Sequence, residues 1–325
     1  MRRLSTIFFS TVATIAVVTQ AQEPAVARLD SALEDIVPPA ARVEQLADSP
    51  GPGHREGPVW IRKGGYLLYS DLGAKAINKW SPADGKVSTF LENTDSDGVT
   101  LDRQGRIVWA GGGQVVRVEK DGQRTVLASQ YQGKPLNAPN DLVYKSDGAL
   151  YFTDTGHGSS NDPKALPSGD IPVVYLLRDG TLRVATTLIT RPNGLAFSPG
   201  EKYLYVNSSN KLTITRFDVL PDGTITHGRV LIDMNGGKPY PVGSPDPDRS
   251  AGYPDGMKVD RKGNVYCTGP EGVWIISPEG KHLGTIVGLN RPTNLAFGGS
   301  DGKTLFITSR PGLYRIHLQI PGIRP

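Results

Sequence analysis

The chain holds one cysteine in 325 residues, Cys267. An intramolecular disulfide is therefore excluded, and so is any small disulfide-stapled fold. Cys267 lies in a strand-like run and reads as core, because no neighbouring base marks it as a nucleophile. Clustered basic residues are also missing. The formal charge of +4 is spread along the chain, two of the positive charges being Arg2 and Arg3, so nucleic-acid binding has no support. There is no long amphipathic helical pattern and no glycine-rich loop followed by lysine of the nucleotide-binding type. Gly111-Gly112-Gly113 lies between strand-like runs and reads as a turn. The apolar stretch at residues 7–18 is shorter than the ~20 residues a membrane span needs. It follows Met1-Arg2-Arg3 and precedes Thr19-Gln-Ala21. That pattern is expected of a signal peptide over residues 1–21, leaving a periplasmic or secreted protein with no membrane attachment after cleavage.

A repeat fills the rest. Residues 191–206 give a polar residue and a glycine (Asn193, Gly194), a short apolar run, a turn, and a second apolar run ending in Tyr203-Leu-Tyr-Val206. Two short strands about a polar turn form a hairpin signal. The unit recurs at Glu56-Gly-Pro-Val-Trp60, Asp97-Gly-Val-Thr-Leu101, Asn140-Asp-Leu-Val-Tyr144, Asp255-Gly-Met-Lys-Val259 and Asn294-Leu-Ala-Phe297. The leading residues are 41, 43, 53, 62 and 39 residues apart. Strand pairs repeating at this interval imply an all-β chain, a six-bladed β-propeller with four antiparallel strands per blade.

The turns Pro82-Ala-Asp-Gly85, Lys120-Asp-Gly122, Arg178-Asp-Gly180, Pro221-Asp-Gly223 and Pro278-Glu-Gly280 fall where third and fourth strands should meet. The last unit supplies only three strands. Residues 42–47 alternate in polarity and are expected to give the fourth, closing the ring and removing an open sheet edge. Residues 22–41 read as a lead segment with a short helical turn near 30–36, and residues 42–325 as the propeller. Strand direction puts the long irregular segments 129–139, 155–172 and 235–254 on the face that carries the leading residues, where they would wall a pocket.

Every leading residue is an acid or an amide, which turn chemistry explains poorly for Glu56. Glu56, Asn140, Asn193 and Asp255 offer two carboxylates and two amide oxygens. Oxygen-only donors suit Ca²⁺, or Mg²⁺ and Mn²⁺, above Zn²⁺. Such an ion acts as a Lewis acid and acidifies bound water.

Taken together, Glu56-Gly-Pro-Val-Trp60, Asn140-Asp-Leu-Val143, Arg191-Pro-Asn-Gly-Leu-Ala-Phe-Ser198, Pro254-Asp-Gly-Met257 and Pro292-Thr-Asn-Leu-Ala-Phe-Gly-Gly299 resemble the gluconolactonase/regucalcin family of six-bladed propellers, over residues 42–318. The resemblance implies one divalent metal, commonly Ca²⁺, in the central channel and hydrolysis of lactones; a related branch hydrolyses organophosphates. It places metal contacts at Glu56, Asn193 and Asp255, with Asn140 as a fourth ligand or a water-bridged neighbour. Asp255 becomes the catalytic base or nucleophile. Asp97, Asn294 and His157 remain as pocket-shaping or substrate-binding residues. Asp154-Thr-Gly-His-Gly158 departs from the Asp-Pro-Pro-Tyr-Gly common in the family, and Ala138 stands where some sugar-lactonases carry arginine. The partner expected is a small lactone or ester. A phosphotriester or ester hydrolase of the same architecture, and a non-catalytic ligand-binding propeller with a structural metal, are the competing readings. The carboxylates Glu56 and Asp255 argue against the last.

Overall fold

The computed structural model describes residues 25–48, 53–156, 173–236, 251–310 and 312–323. The expected leader at 1–21 and His157 lie outside the described residues. Six antiparallel sheets, five of four strands and one of five, stand around an axis. Their innermost strands are Arg55–Ile61, Val99–Leu101, Pro139–Tyr144, Pro192–Phe197, Met257–Val259 and Pro292–Gly298, here blades 1 to 6. Each inner strand packs against that of the next blade, and blade 6 against blade 1.

Burial falls from axis to rim. The second strand of blade 3, Leu150–Asp154, is buried at every position, whereas the outermost strand of blade 1, Val87–Leu91, is almost wholly exposed. Side chains alternate between the two faces of a strand, and here both faces are covered. Leu150 and Phe152 pack with Val108 and Val115 of blade 2, while Tyr151 between them packs with Leu195 and Val206 of blade 4. One strand thus serves two cores, which is why second strands read as unbroken apolar runs. Each such side chain contributes about 1.5–3 kcal/mol on burial. Trp80 and Trp109 are buried between blades, and Trp60 stacks on Phe306 with centroids 5.2 Å apart.

The five expected outer turns all join third to fourth strands. Ring closure is as expected: Glu44–Asp48 pairs with Gly312–His317, and Arg315 Nη2 holds Glu44 Oε2 at 2.6 Å. The lead segment is more than a leader. Ala25–Arg28 adds a fifth strand to blade 5 by pairing with His282–Val287. The helical turn follows as a 3₁₀ turn, Ser31–Asp35, whose first amides are capped by Asp30. Leu33, Ile36 and Val37 are buried against Tyr266, Ile286 and Ile316. Segment 129–139, expected to be irregular, contains a small hairpin of Gln130–Tyr131 with Lys134–Pro135. Residues 157–172 and 237–250 of the other two long segments lie outside the described residues.

Candidate metal centre on the propeller axis

Strand pairing provides a ruler for the leading residues. The pairs Val59–Leu68, Val99–Trp109, Leu142–Phe152, Leu195–Val206, Met257–Cys267 and Leu295–Ile307 are equivalent across the six blades. Asp97, Asn140, Asn193 and Asp255 each stand two residues before the inner member of their pair. Glu56 stands three before, and Asn294 only one before, Thr293 holding the leading place in blade 6. The repeat is therefore in strict register at four positions. At Glu56 the longer side chain starts one residue earlier, beside a break in the ladder between Glu56 and Val59.

Backbone contacts confirm the ring. The amide of Gly98 donates to the Asn140 carbonyl (2.8 Å), that of Gly194 to the Asp255 carbonyl (3.0 Å), and that of Gly256 to the Thr293 carbonyl (2.7 Å). These glycines follow leading residues, and a Cβ on any of them would overlap the next blade. At Gly194 it would lie 2.9 Å from both Met257 N and Asn207 Nδ2. Glycine is required here because two main chains touch at the axis.

Glu56, Asn193, Asp255 and Asn294 are buried, and Asp97 and Asn140 partly so. Asn140 Nδ2 donates to Asp97 Oδ2 at 2.8 Å. Glu56 Oε2 accepts from Gly57 N at 3.2 Å, and its Oε1 lies 3.7 Å from His54 Nε2. Asp255 is held through its backbone: its amide donates to Thr268 Oγ1 (2.9 Å) and its carbonyl accepts from Asn207 Nδ2 (2.6 Å). Burial drives the Asp255 carboxyl well above the usual carboxylate range; the charges of Glu56 and Asp97 push the same way and a hydrogen bond with Asn193 opposes. Asp97 is raised for the same reasons, burial first and then the charges of Glu56 and Asp141. Acids that raise one another in this way lack a counter-charge.

A further layer lies one residue along, in which Asn294, expected from the sequence, is joined by Asp141 and Lys258, which were not. Asp141 and Asn294 occupy the place held by glycine in blades 2, 4 and 5. Both accept from the next amide, Leu142 N (2.9 Å) and Leu295 N (2.8 Å). Lys258 Nζ reaches Asn294 Oδ1 at 3.3 Å and Asp141 Oδ2 at 3.9 Å. The acid at a glycine position was a readable signal; Lys258 was not, since nothing in Met-Lys-Val says which way the lysine faces.

Among the described residues, no three Asp, Glu, His or Cys side chains form a metal cage by themselves. The axial set mixes carboxylates with amide oxygens, and it fits a hard cation by one direct observation. Asn193 Oδ1 is buried and has no hydrogen-bond partner. A buried amide oxygen costs about 1–3 kcal/mol if left unpaired, and a cation between it and the Glu56 and Asp255 carboxylates would satisfy it. Cys267 is buried behind the site, its thiol pushed up to about 12 by burial, and serves as core.

The chain is similar to known proteins in sequence and in fold. Residues 55–310 match the family described as SMP-30/Gluconolactonase/LRE-like region. The chain is 34% identical over 293 residues to a gluconolactonase of Zymomonas mobilis subsp. mobilis, covering 82% of this chain and 79% of that one. It is 26% identical over 260 residues to regucalcin of Xenopus laevis, covering 78% and 82%. A gluconolactonase structure from Xanthomonas campestris superposes with a TM-score of 0.75 at 31% identity, over 93% of this chain and 99% of that one.

Proposed function

This chain belongs to the SMP-30/gluconolactonase/LRE-like family, and on that premise we propose that it is a lactonase whose axial residues hold one divalent cation, Ca²⁺ by the chemistry of its donors. Relatives named gluconolactonase, pentonolactonase and 6-deoxy-6-sulfogluconolactonase support lactone hydrolysis. The observation that carries the metal reading is the set of acids Glu56, Asp97 and Asp255 beside the unpartnered Asn193 Oδ1. Glu56, Asn193 and Asp255 would hold the ion, with Asn140 as fourth ligand or water-bridged neighbour. When bound, the ion supplies Lewis-acid polarisation of the lactone carbonyl and stabilises the charge that develops on its oxygen.

The chain's own residues then have defined tasks. Asp255 takes a proton from water as the water oxygen attacks the carbonyl carbon. The ring C–O bond breaks, and the proton passes to the departing alkoxide oxygen. Direct attack by the Asp255 carboxylate is the variant of this step; either requires the ionised form. Burial and two neighbouring acids oppose ionisation of Asp255, and a cation held beside it would favour the ionised form. Asn193 orients Asp255, and Asp97 fixes Asn140 by accepting from its amide. Asn294 and His157 complete the reading as pocket and substrate residues. The phosphotriester alternative rests on shared architecture alone. The leader-like segment at residues 1–21 is the ground for placing the enzyme in the periplasm or outside the cell.

The test pairs metal content of the purified protein with hydrolysis of aliphatic, aromatic and sugar lactones before and after chelation. One ion per chain, with activity lost on chelation and restored by Ca²⁺, is expected. A folded Glu56→Gln protein that keeps full, chelator-resistant hydrolysis would overturn the reading.

A further inference from the structure

The channel floor carries a cation of its own. Lys258 leaves the innermost strand of blade 5 three residues after Asp255 and turns toward the axis. Its ammonium donates to the Met257 carbonyl (3.0 Å) and to Asn294 Oδ1 (3.3 Å), and lies 3.9 Å from Asp141 Oδ2. Asp141 and Asn294 are each 2% exposed. They come from equivalent positions in blades 3 and 6, which face each other across the ring. They can approach because blades 2, 4 and 5 carry glycine at the same level (Gly98, Gly194, Gly256). Asp141 Oδ2 is buried and accepts no hydrogen bond, so Lys258 is the countercharge it has among the described residues. On its far side Lys258 lines a cavity of about 680 Å³ that opens on the opposite face of the propeller, among Trp60, Tyr144, Phe197 and Phe297. The lysine therefore stands in the partition between the two ends of the channel.

A backbone carbonyl, an amide oxygen and a carboxylate are the hard donors a divalent cation takes. Here a side-chain ammonium fills their centre. We propose that Lys258 is the resident cation of the channel floor and that its ammonium excludes a second divalent ion from the cradle of Asp141, Asn294 and the Met257 carbonyl. The proposal rests on the metal reading of the upper site for the count of one ion, but the floor can be tested apart from it. A single positive charge held by the chain keeps Asp141 neutralised in every state of loading, whereas an exchangeable ion would not.

Lys258→Met keeps the unbranched apolar stem of the side chain and removes its charged head. Ca²⁺ bound per chain is measured by equilibrium dialysis with elemental mass spectrometry, and melting temperature is followed as Ca²⁺ is added. Lys258→Met should bind one ion more than wild type and show a second Ca²⁺-dependent rise in melting temperature. Lys258→Arg should behave as wild type, and the double variant Lys258→Met with Asp141→Asn should lose the added ion. If Lys258→Met does not fold without ion, Lys258→Gln, which is neutral and keeps a polar end in the channel floor, carries the same test. An unchanged ion count in the neutral variants would overturn the proposal. Wild type binding no ion would defeat the reading of the upper site alone, since the gain of one ion at the floor would still be required.

Discussion

Asn140 of blade 3 donates its amide hydrogen to Asp97 of blade 2 at 2.8 Å, so the nitrogen of one leading residue is committed to the carboxylate of another. The oxygen of Asn140 is thereby left for the channel. Asp97 contributes charge and positioning, and two variants separate them. Asp97→Asn keeps an acceptor for Asn140 and removes one of the mutually repelling acids. In chelator it should melt higher than wild type, with activity changed little. Asp97→Ala removes the acceptor, and loss of such an orienting partner costs about 10–100-fold in metal affinity or activity. Melting temperature and kcat/KM for the pair check this; equal activity loss in both would assign the effect to charge.

Asn193 gives a second, opposite pair of readouts. Its Oδ1 is buried and unpartnered, so in the metal-free protein removing the side chain relieves an unsatisfied oxygen, which offsets the loss of its hydrogen bond to Asp255. Asn193→Ala should leave the melting temperature in chelator close to wild type while weakening Ca²⁺ affinity by at least about tenfold. Calorimetric titration and a melt in chelator measure the two sides. A large loss of stability with unchanged Ca²⁺ affinity would make Asn193 a structural residue.

The propeller was legible because the blades repeat a local pattern: short apolar strands, a polar lead and, in five of the six, a glycine-bearing outer turn. What escaped the sequence is what the ring alone creates. Glu56 and Asn294 look equivalent to the other leading residues in a linear reading, yet strand pairing sets one a residue early and the other a residue late. Asp141 was visible as an acid where other blades carry glycine, but its meeting with Lys258 depends on blades 3, 5 and 6 converging. Ala25–Arg28 is four residues long and pairs with a strand more than 250 residues away. So short a segment carries too little periodicity to be seen without its partner.

Gly194 shows how tightly the axial packing constrains the site. A methyl group there would meet Met257 N and Asn207 Nδ2 at 2.9 Å and overlap the Asp255 carbonyl. Gly194→Ala should cost about 1–3 kcal/mol of stability by overpacking and, by displacing Asp255, should also lower kcat. Gly122→Ala is the comparison. Its φ is +85° with open space around it, so it should lose stability through backbone strain while the folded fraction keeps full kcat. Denaturant melts with active-site titration separate the two. Wild-type kcat in Gly194→Ala would show that Asp255 tolerates the shift.

The outer part of blade 5 gives a pH dependence of known sign. His282 stacks flat on Trp274, with ring centroids 3.6 Å apart, and its Nε2 lies 2.9 Å from Thr285 Oγ1. Burial holds its pKa below the ordinary histidine value, with the Gly284 carbonyl partly opposing. The folded state therefore binds the proton less tightly than the unfolded chain. The contribution of His282 is complete above the unfolded pKa of about 6.5 and is lost as pH falls from there through the lower folded pKa. His282→Phe keeps an aromatic ring on Trp274 and removes the titration. Relative to its own value at pH 8, it should lose less melting temperature than wild type between pH 7 and pH 5. Titrations elsewhere, including those of Asp97 and Asp255, are common to both proteins and cancel in the difference. Parallel curves would mean that His282 titrates as it does in the unfolded chain.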